Sequence, residues 1–202
     1  VILYTRTGDE GKTAIIGGRV DKDDLHVETI GTIDEANCFV GQAVAQLDPG
    51  RFHDLLTDLK KIQNELFDCG GDLASVTKHR KKHVNQEMID YLEKRIDRLI
   101  DEAPDIEQFI LPGGSVPAAS LHLARAVTRR AERCAVKLVK VDQKQSLLPL
   151  HYLNRLSDYF FAAARVVNYR LNKQEDLYGR SAPVFRGGRR KQNRMPGEQE
   201  GR

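Results

Sequence analysis

The chain has 202 residues, 40% hydrophobic and 30% charged, with a formal net charge of +3. That length can bury one substantial core, and no apolar run reaches the ~20 residues that a membrane-crossing helix needs, which excludes a helical membrane protein. The excess positive charge sits between Arg186 and Arg202, six cations against two carboxylates, so the basic balance describes a tail and not a nucleic-acid-binding surface on the body.

At the N-terminus, Val1-Ile2-Leu3-Tyr4 is too short for a secretory h-region, and a cytoplasmic location is the expectation. Strand alternation is confined to short pieces near Val1 to Thr5 and Ala14 to Ile16. Between them, Tyr4-Thr-Arg-Thr-Gly-Asp-Glu-Gly-Lys-Thr13 mixes glycines, hydroxyls and cations, as a loop that wraps phosphate with backbone N–H groups would. A P-loop is excluded, because the pattern needs glycine where Arg6 stands and Gly17-Gly18 would break the helix that must follow. An ordinary glycine-rich turn and a phosphate loop of another kind both remain open.

Five segments carry helical periodicity. The first is expected to begin at Thr32, where Thr-Ile-Asp-Glu fits a capping box with Glu35, and to end at Asp48-Pro49-Gly50. Asp34 would then sit in the first turn, favoured by the helix dipole, or it could pair with an arginine of the fourth helix. The second helix runs from about Phe52 to Ser75, with Gly70-Gly71 marking a kink or, as we favour, a close approach by another backbone. His79 and His83 follow in a basic loop without a neighbouring acid or thiol, so no metal site is expected. The third helix spans about Gln86 to Glu102 with Ile89, Leu92, Ile96 and Leu99 inward, and stops before Pro104. Phe109-Ile-Leu-Pro-Gly-Gly114 then turns sharply into a fourth helix, about Pro117 to Val141, and a fifth covers about Leu150 to Asn172. Cys38, Cys69 and Cys134 fall in these helices and read as buried free thiols. The fold class is therefore all-α, most simply an antiparallel five-helix bundle.

The fourth helix carries an imbalance: Arg125, Arg129, Arg130 and Arg133 against Glu132 alone. At ~100° per residue, Arg125, Arg129 and Arg133 share a face with His122, opposite a stripe of Leu123, Val127, Ala131, Cys134 and Leu138. Like charges four apart cost an isolated helix roughly 0.2–0.5 kcal/mol per pair, and the planar guanidinium suits phosphate, so the face is either solvated or meets an anion. On the fifth helix, Asn154, Asp158 and Arg165 form one polar flank beside the core stripe, a ledge for a nucleotide or a link between helices.

Together with Lys22-Asp-Asp, Gly31-Thr-Ile-Asp-Glu, Gln63-Asn-Glu-Leu-Phe-Asp-Cys-Gly-Gly-Asp-Leu-Ala74, Arg129-Arg-Ala-Glu-Arg and Leu153-Asn-Arg-Leu-Ser-Asp, these motifs resemble the PduO-type ATP:cob(I)alamin adenosyltransferase family. The match runs in order from about Tyr4 to Arg186; Ala36-Asn37-Cys38 departs from the family where a leucine is more usual. The resemblance implies a ferritin-like, cobalamin adenosyltransferase-like bundle over residues 1–185, a basic tail over 186–202, and a homotrimer with active sites between subunits. It implies that Thr5, Arg6, Thr7, Gly8, Thr13 and Lys22 hold the triphosphate of ATP, with Arg129, Arg130, Glu132, Arg133 and Asn154 completing that site. Arg129 is the leading catalytic candidate; Asp34 and Arg125 match a pair formed across the subunit interface. Phe109 matches the aromatic that displaces the lower axial ligand of cobalamin, and Phe185 one that closes the corrinoid pocket. Mg²⁺ on the phosphates, an electron-donating flavoprotein reductase and an adenosylcobalamin-dependent enzyme are the further partners implied. Cobalt(I) is itself the nucleophile, so the protein supplies placement and charge. A helical nucleic-acid-binding protein and an ATP hydrolase are the competing readings.

Overall fold

The computed structural model describes residues 3–76, 81–143 and 145–180. Two short strands, β1 (Lys12–Ile15) and β2 (Gly18–Asp21), form an antiparallel hairpin closed over Ile16-Gly17, where Gly17 takes φ 98°. Five helices follow: α1 (Leu25–Gln46), α2 (Pro49–Ala74), α3 (Gln86–Glu102), α4 (Val116–Val141) and α5 (Leu148–Arg170). The helical architecture matches the expectation, with the hairpin added to it.

The first helix starts earlier than expected. Asp24 caps it, its carboxylate accepting the His26 N–H at 2.8 Å, while Thr32 donates to the Glu28 carbonyl one turn back. Thr32 to Glu35 is therefore helix interior and no capping box, and the dipole argument for Asp34 falls away. Asp48-Pro49-Gly50 opens α2: Asp48 accepts the Arg51 N–H at 2.9 Å, Pro49 takes the first turn, and the one distorted residue is Phe52. Helix α2 is unbroken through Gly70-Gly71. A Cβ on Gly70 would meet Ile33 at 3.8 Å, an ordinary contact, so Gly70 marks neither a kink nor a close approach. Helix α3 occupies the expected residues with its four expected core positions buried.

Cross-helix contacts give the directions. Ser120 donates to Gln46 at 2.8 Å near one end of α1 and α4, and Thr32 meets Cys134 at 4.0 Å toward the other, so these helices are antiparallel. Asn37 to the Gln63 carbonyl sets α2 against α1, and Tyr152 to Glu65 and Tyr159 to Asp58 set α5 against α2 in the same sense. Arg155 reaches Glu93 and Arg170 reaches Glu102, so α3 runs parallel to α5, as helices two apart do when direction alternates along the chain. The long α3–α4 connection, residues 103–115, crosses the end of the bundle where α5 also finishes, since Arg170 meets Glu102 and Asn168 meets Gly113 and Ser115 there.

Buried polar groups link α2, α3 and α5. Asp58, 2% exposed, accepts from Tyr91 at 2.5 Å, Arg95 at 2.6 Å and Tyr159 at 3.0 Å. Such a carboxylate would be costly alone; three donors offset its desolvation. Burial, with the Asp58 bond next, pushes the Tyr91 hydroxyl up to about 12. Arg165 is also enclosed, bonded to Glu175 and to the Pro104 carbonyl, and so does not stand on an open flank with Asn154 and Asp158. Of the cysteines, Cys69 and Cys134 are buried; Cys38 is exposed on α1, contrary to expectation.

Candidate functional site

Helix α4 is gripped on one side by α1 and on the other by α5, which buries a wider arc than the sequence stripe foretold. His122 is 4% exposed and Leu123 is 46% exposed, so these two exchange the places expected of them. Arg125 is half-buried, while Arg129, Arg130 and Arg133 are exposed. Asn154 donates to Glu132 at 2.8 Å, joining α5 to α4 beside this arginine row, and Arg133 donates to the Arg129 carbonyl at 3.0 Å. Asp158 lies next to the same group; burial raises its carboxyl above the ordinary value, against the lowering influence of Arg155 and Arg129. Arg130 pairs with Glu35 of α1. Arg129, Glu132, Arg133 and Asn154 are thus brought together, with Arg130 turned toward α1.

Asp34 and Arg125 do not meet within the chain. Glu35 is level with Arg130 and Gln46 with Ser120, so in this antiparallel pair Asp34 stands level with residues near 131. At 1.5 Å rise per residue, Arg125 lies roughly 9 Å further along the axis. Asp34 is exposed, and among the described residues no cation is within ion-pairing distance of it. Burial lowers the Arg125 pKa, with Arg129 adding to it, and the Arg125 Nε is enclosed without a hydrogen-bond partner among the described residues.

The N-terminal loop is a second, separate part. Arg6 adopts φ 58° and Gly11 φ 80°, conformations that tighten the turn. Thr5 and Thr7 hydroxyls meet at 2.8 Å. The Lys22 N–H closes on the Gly11 carbonyl at 2.8 Å, and its Nζ lies 3.4 Å from where a Cβ on Gly8 would stand. Thr5, Arg6, Thr7 and Lys22 are exposed, Gly8 and Thr13 half-exposed. No hydrogen bond or ion pair among the described residues joins this loop to the arginine row. The Val76 N–H bonds the Ile16 carbonyl at 3.2 Å, which fastens the hairpin to the end of α2.

Phe109 lies on the α3–α4 connection, 50% exposed. A short bridge from the chain after α5 holds it: the Tyr178 N–H bonds the Phe109 carbonyl and the Leu111 N–H the Asp176 carbonyl, both at 2.7 Å. Asn168, 2% exposed, fixes the turn that follows, accepting from the Ser115 N–H and hydroxyl at 2.8 and 2.9 Å and donating to the Gly113 carbonyl at 3.0 Å. Gly114 is required there, since its φ is 91° and a Cβ would stand 2.4 Å from Asn168. Behind Phe109 opens a cavity of about 200 Å³, lined by Ile106, Phe109, Ile110, Pro112, His122, Arg125 and Phe161. Sequence reasoning missed Phe161 and Asn168. The one available signal was an asparagine following Val166-Val167 in an apolar run.

Phe185, the tail from Arg186 and His79 lie outside the described residues. His83 shares a hydrogen bond with Asp68 at 3.1 Å, and among the described residues no cluster of three or more histidines, cysteines or carboxylates could hold a metal ion. No helix among them is long and apolar enough to cross a membrane.

Comparison with known proteins bears on this arrangement. The family described as cobalamin adenosyltransferase matches residues 3–167. A corrinoid adenosyltransferase of Bacillus subtilis is 56% identical over 186 residues, 91% of this chain and 95% of the relative. Among solved structures, a phenylalanine-to-histidine variant of a PduO-type ATP:corrinoid adenosyltransferase from Lactobacillus reuteri, complexed with cobalamin and ATP, superposes with TM-score 0.86 at 40% identity, over 91% of this chain and all of that one. An arginine-to-lysine variant of that enzyme, complexed with ATP, gives TM-score 0.82 at 42% identity, over 87% of this chain and 99% of its own.

Proposed function

The chain belongs to the cobalamin adenosyltransferase family, and on that premise we propose how its residues carry out the ATP-dependent adenosylation of cobalamin. The reaction joins cobalt(I) to C5′ of ATP. The C5′–O5′ bond breaks, its electron pair leaves with triphosphate, and cobalt rises formally to the +3 state.

The observation that carries the assignment of residues is the exposed row of Arg129 and Arg133 beside the Glu132–Asn154 link, cations with no carboxylate within ion-pairing distance among the described residues. Negative charge grows on the departing triphosphate, and preset guanidiniums stabilise it without reorganisation. Arg129 takes the catalytic place. Thr5, Arg6, Thr7, Gly8, Thr13 and Lys22 form the other half of the phosphate site. Because no hydrogen bond or ion pair among the described residues joins that loop to the arginine row, each site is built from a loop of one subunit and the arginines of its neighbour. The ~9 Å offset between Asp34 and Arg125 argues the same way, since only a neighbouring subunit can bring the two together. A homotrimer satisfies both. Arg130 reaches nucleotide only by exchanging Glu35 for phosphate. With no cluster suited to a metal ion among the described residues, Mg²⁺ would be carried by the phosphates, lending charge neutralisation there. Phe109 lies against the lower face of the corrin, and the closing of that pocket is assigned to Phe185, which lies outside the described residues.

The test is to incubate the full chain with ATP, Mg²⁺ and chemically reduced cobalamin, following the corrinoid spectrum and the phosphate product. Adenosylcobalamin with stoichiometric triphosphate is expected. Orthophosphate or pyrophosphate without a cobalt–carbon bond would mark a hydrolase.

A further inference from the structure

The imidazole of His122 is enclosed in the wall of the cavity behind Phe109, and neither Nδ1 nor Nε2 has a hydrogen-bond partner among the described residues. An unpaired buried polar group is costly, on the order of 1–3 kcal/mol, so its retention in an otherwise apolar wall of Ile106, Ile110, Pro112 and Phe161 needs a reason. The ring is held edge-on to Phe161, centroids 6.2 Å apart. Burial, with Arg125 next to it, lowers its pKa to about 4, so at neutral pH it presents one N–H donor and one lone-pair acceptor. Arg125 adds an enclosed Nε–H. The cavity's ~200 Å³ suits a group of several heavy atoms better than a single water.

We propose that this cavity receives one carboxamide-terminated arm of the corrin rim, and that His122 is the residue that reads it, accepting from the amide NH₂ or donating to its carbonyl. The inference rests on the corrin lying against Phe109. Granted that, the choice of ligand is independent of how the ring is turned, because a cobalamin rim bears carboxamide arms on every side. A primary amide carries both a donor and an acceptor, so it can pair with whichever imidazole nitrogen meets it. A cationic group would instead meet the charge of Arg125 in a pocket with little water to screen it. His122 thereby becomes a specificity-determining residue of the corrinoid site, distinct from the arginines that bind nucleotide.

The test compares wild-type protein with His122→Leu and His122→Gln, measuring KM for ATP and for reduced cobalamin and the dissociation constant of adenosylcobalamin. Leucine is expected to weaken the corrinoid constants about tenfold while the ATP KM stays within twofold, and glutamine, which keeps a donor and an acceptor, to restore most of the loss. In the native protein, the ¹⁵N resonances of His122 should shift when adenosylcobalamin is added and remain in place with ATP alone; this arm stands if the variants fail to fold. Unchanged corrinoid constants in His122→Leu, equal loss with glutamine and leucine, or immobile His122 resonances would overturn the proposal. Phe109→Ala separates the two levels. If it leaves corrinoid binding and the cobalt(II) spectrum untouched, the placement of the corrin fails; if it alters them while His122 variants do not, only the arm pocket fails.

Discussion

Two regions of this bundle hold charge inside the protein and treat it in opposite ways. Around Asp58, at the junction of α2, α3 and α5, every charge is answered within the chain: two tyrosines and Arg95 meet one carboxylate, and Arg170 bridges Asp54 and Glu102. Along α4, Arg125 and His122 are enclosed with nitrogens that have no partner among the described residues, and Arg129 and Arg133 project outward. Charge that the fold satisfies itself serves stability, since removing one member strands the others. Charge that it leaves open awaits a ligand or a neighbouring subunit.

The contrast is best attacked at its closed end first. Asp58→Ala should destabilise the protein by about 3–5 kcal/mol, leaving two tyrosine hydroxyls without their acceptor and Arg95 with Asp54 alone. At roughly 2–4 °C per kcal/mol for a chain of this size, that is a fall in Tm on the order of 10 °C, readable by calorimetry. At the open end, Arg129→Ala should lower kcat for adenosylation by ~10²–10³ while Tm stays near wild type. Robust turnover in that variant would undo the assignment of the arginine row, and a large drop in Tm would place Arg129 with the structural charges.

Asn168 stands between the two cases, a buried, fully bonded side chain that holds the turn behind Phe109. Asn168→Ala is expected to cost about 1–3 kcal/mol, from stranding the Ser115 and Gly113 backbone groups. It should also raise KM for corrinoid more than KM for ATP. Equal effects on both substrates would make Asn168 a stabilising residue alone.

The regions should also part in acid. His122 has a folded-state pKa of about 4 against an ordinary value near 6.5, so the unfolded chain binds the proton first. Its contribution to stability is complete above about pH 6.5 and is lost as pH falls toward 4, on the order of 3 kcal/mol. Asp54 is held down to about 2 by Arg170, so its smaller, partly solvent-screened contribution persists until pH drops below the ordinary carboxylate range. Denaturant melts from pH 7 to 3 should therefore show an early loss that His122→Leu removes and Asp54→Asn does not.

Much of the fold was legible in the sequence because apolar spacing speaks for itself where one face is buried. Helix α3 appears at its expected residues, with Ile89, Leu92, Ile96 and Leu99 inward as their spacing requires. Boundaries were less legible where two start signals compete: Thr32-Ile-Asp-Glu imitates a capping box, yet Asp24 caps the helix and Thr32 bonds within it. On α4, a helix with neighbours on two sides, a single stripe misled, putting Leu123 inside and His122 outside. Cys38 misled for the converse reason, sitting on the α1 arc that no helix of the chain covers.

By itself the sequence determined the five helices, the family, and the reaction, since motif identity and 3.6-residue periodicity are local properties of the chain. Only the tertiary structure decided which charges are spent inside the fold. Helix phase alone does not say which neighbour lies across a given face, and it is the neighbour that settles whether an arginine or a histidine is paired, enclosed or open. That is how Arg130 came to Glu35, Arg165 to Glu175, and His122 to the wall of a cavity with both its nitrogens unclaimed.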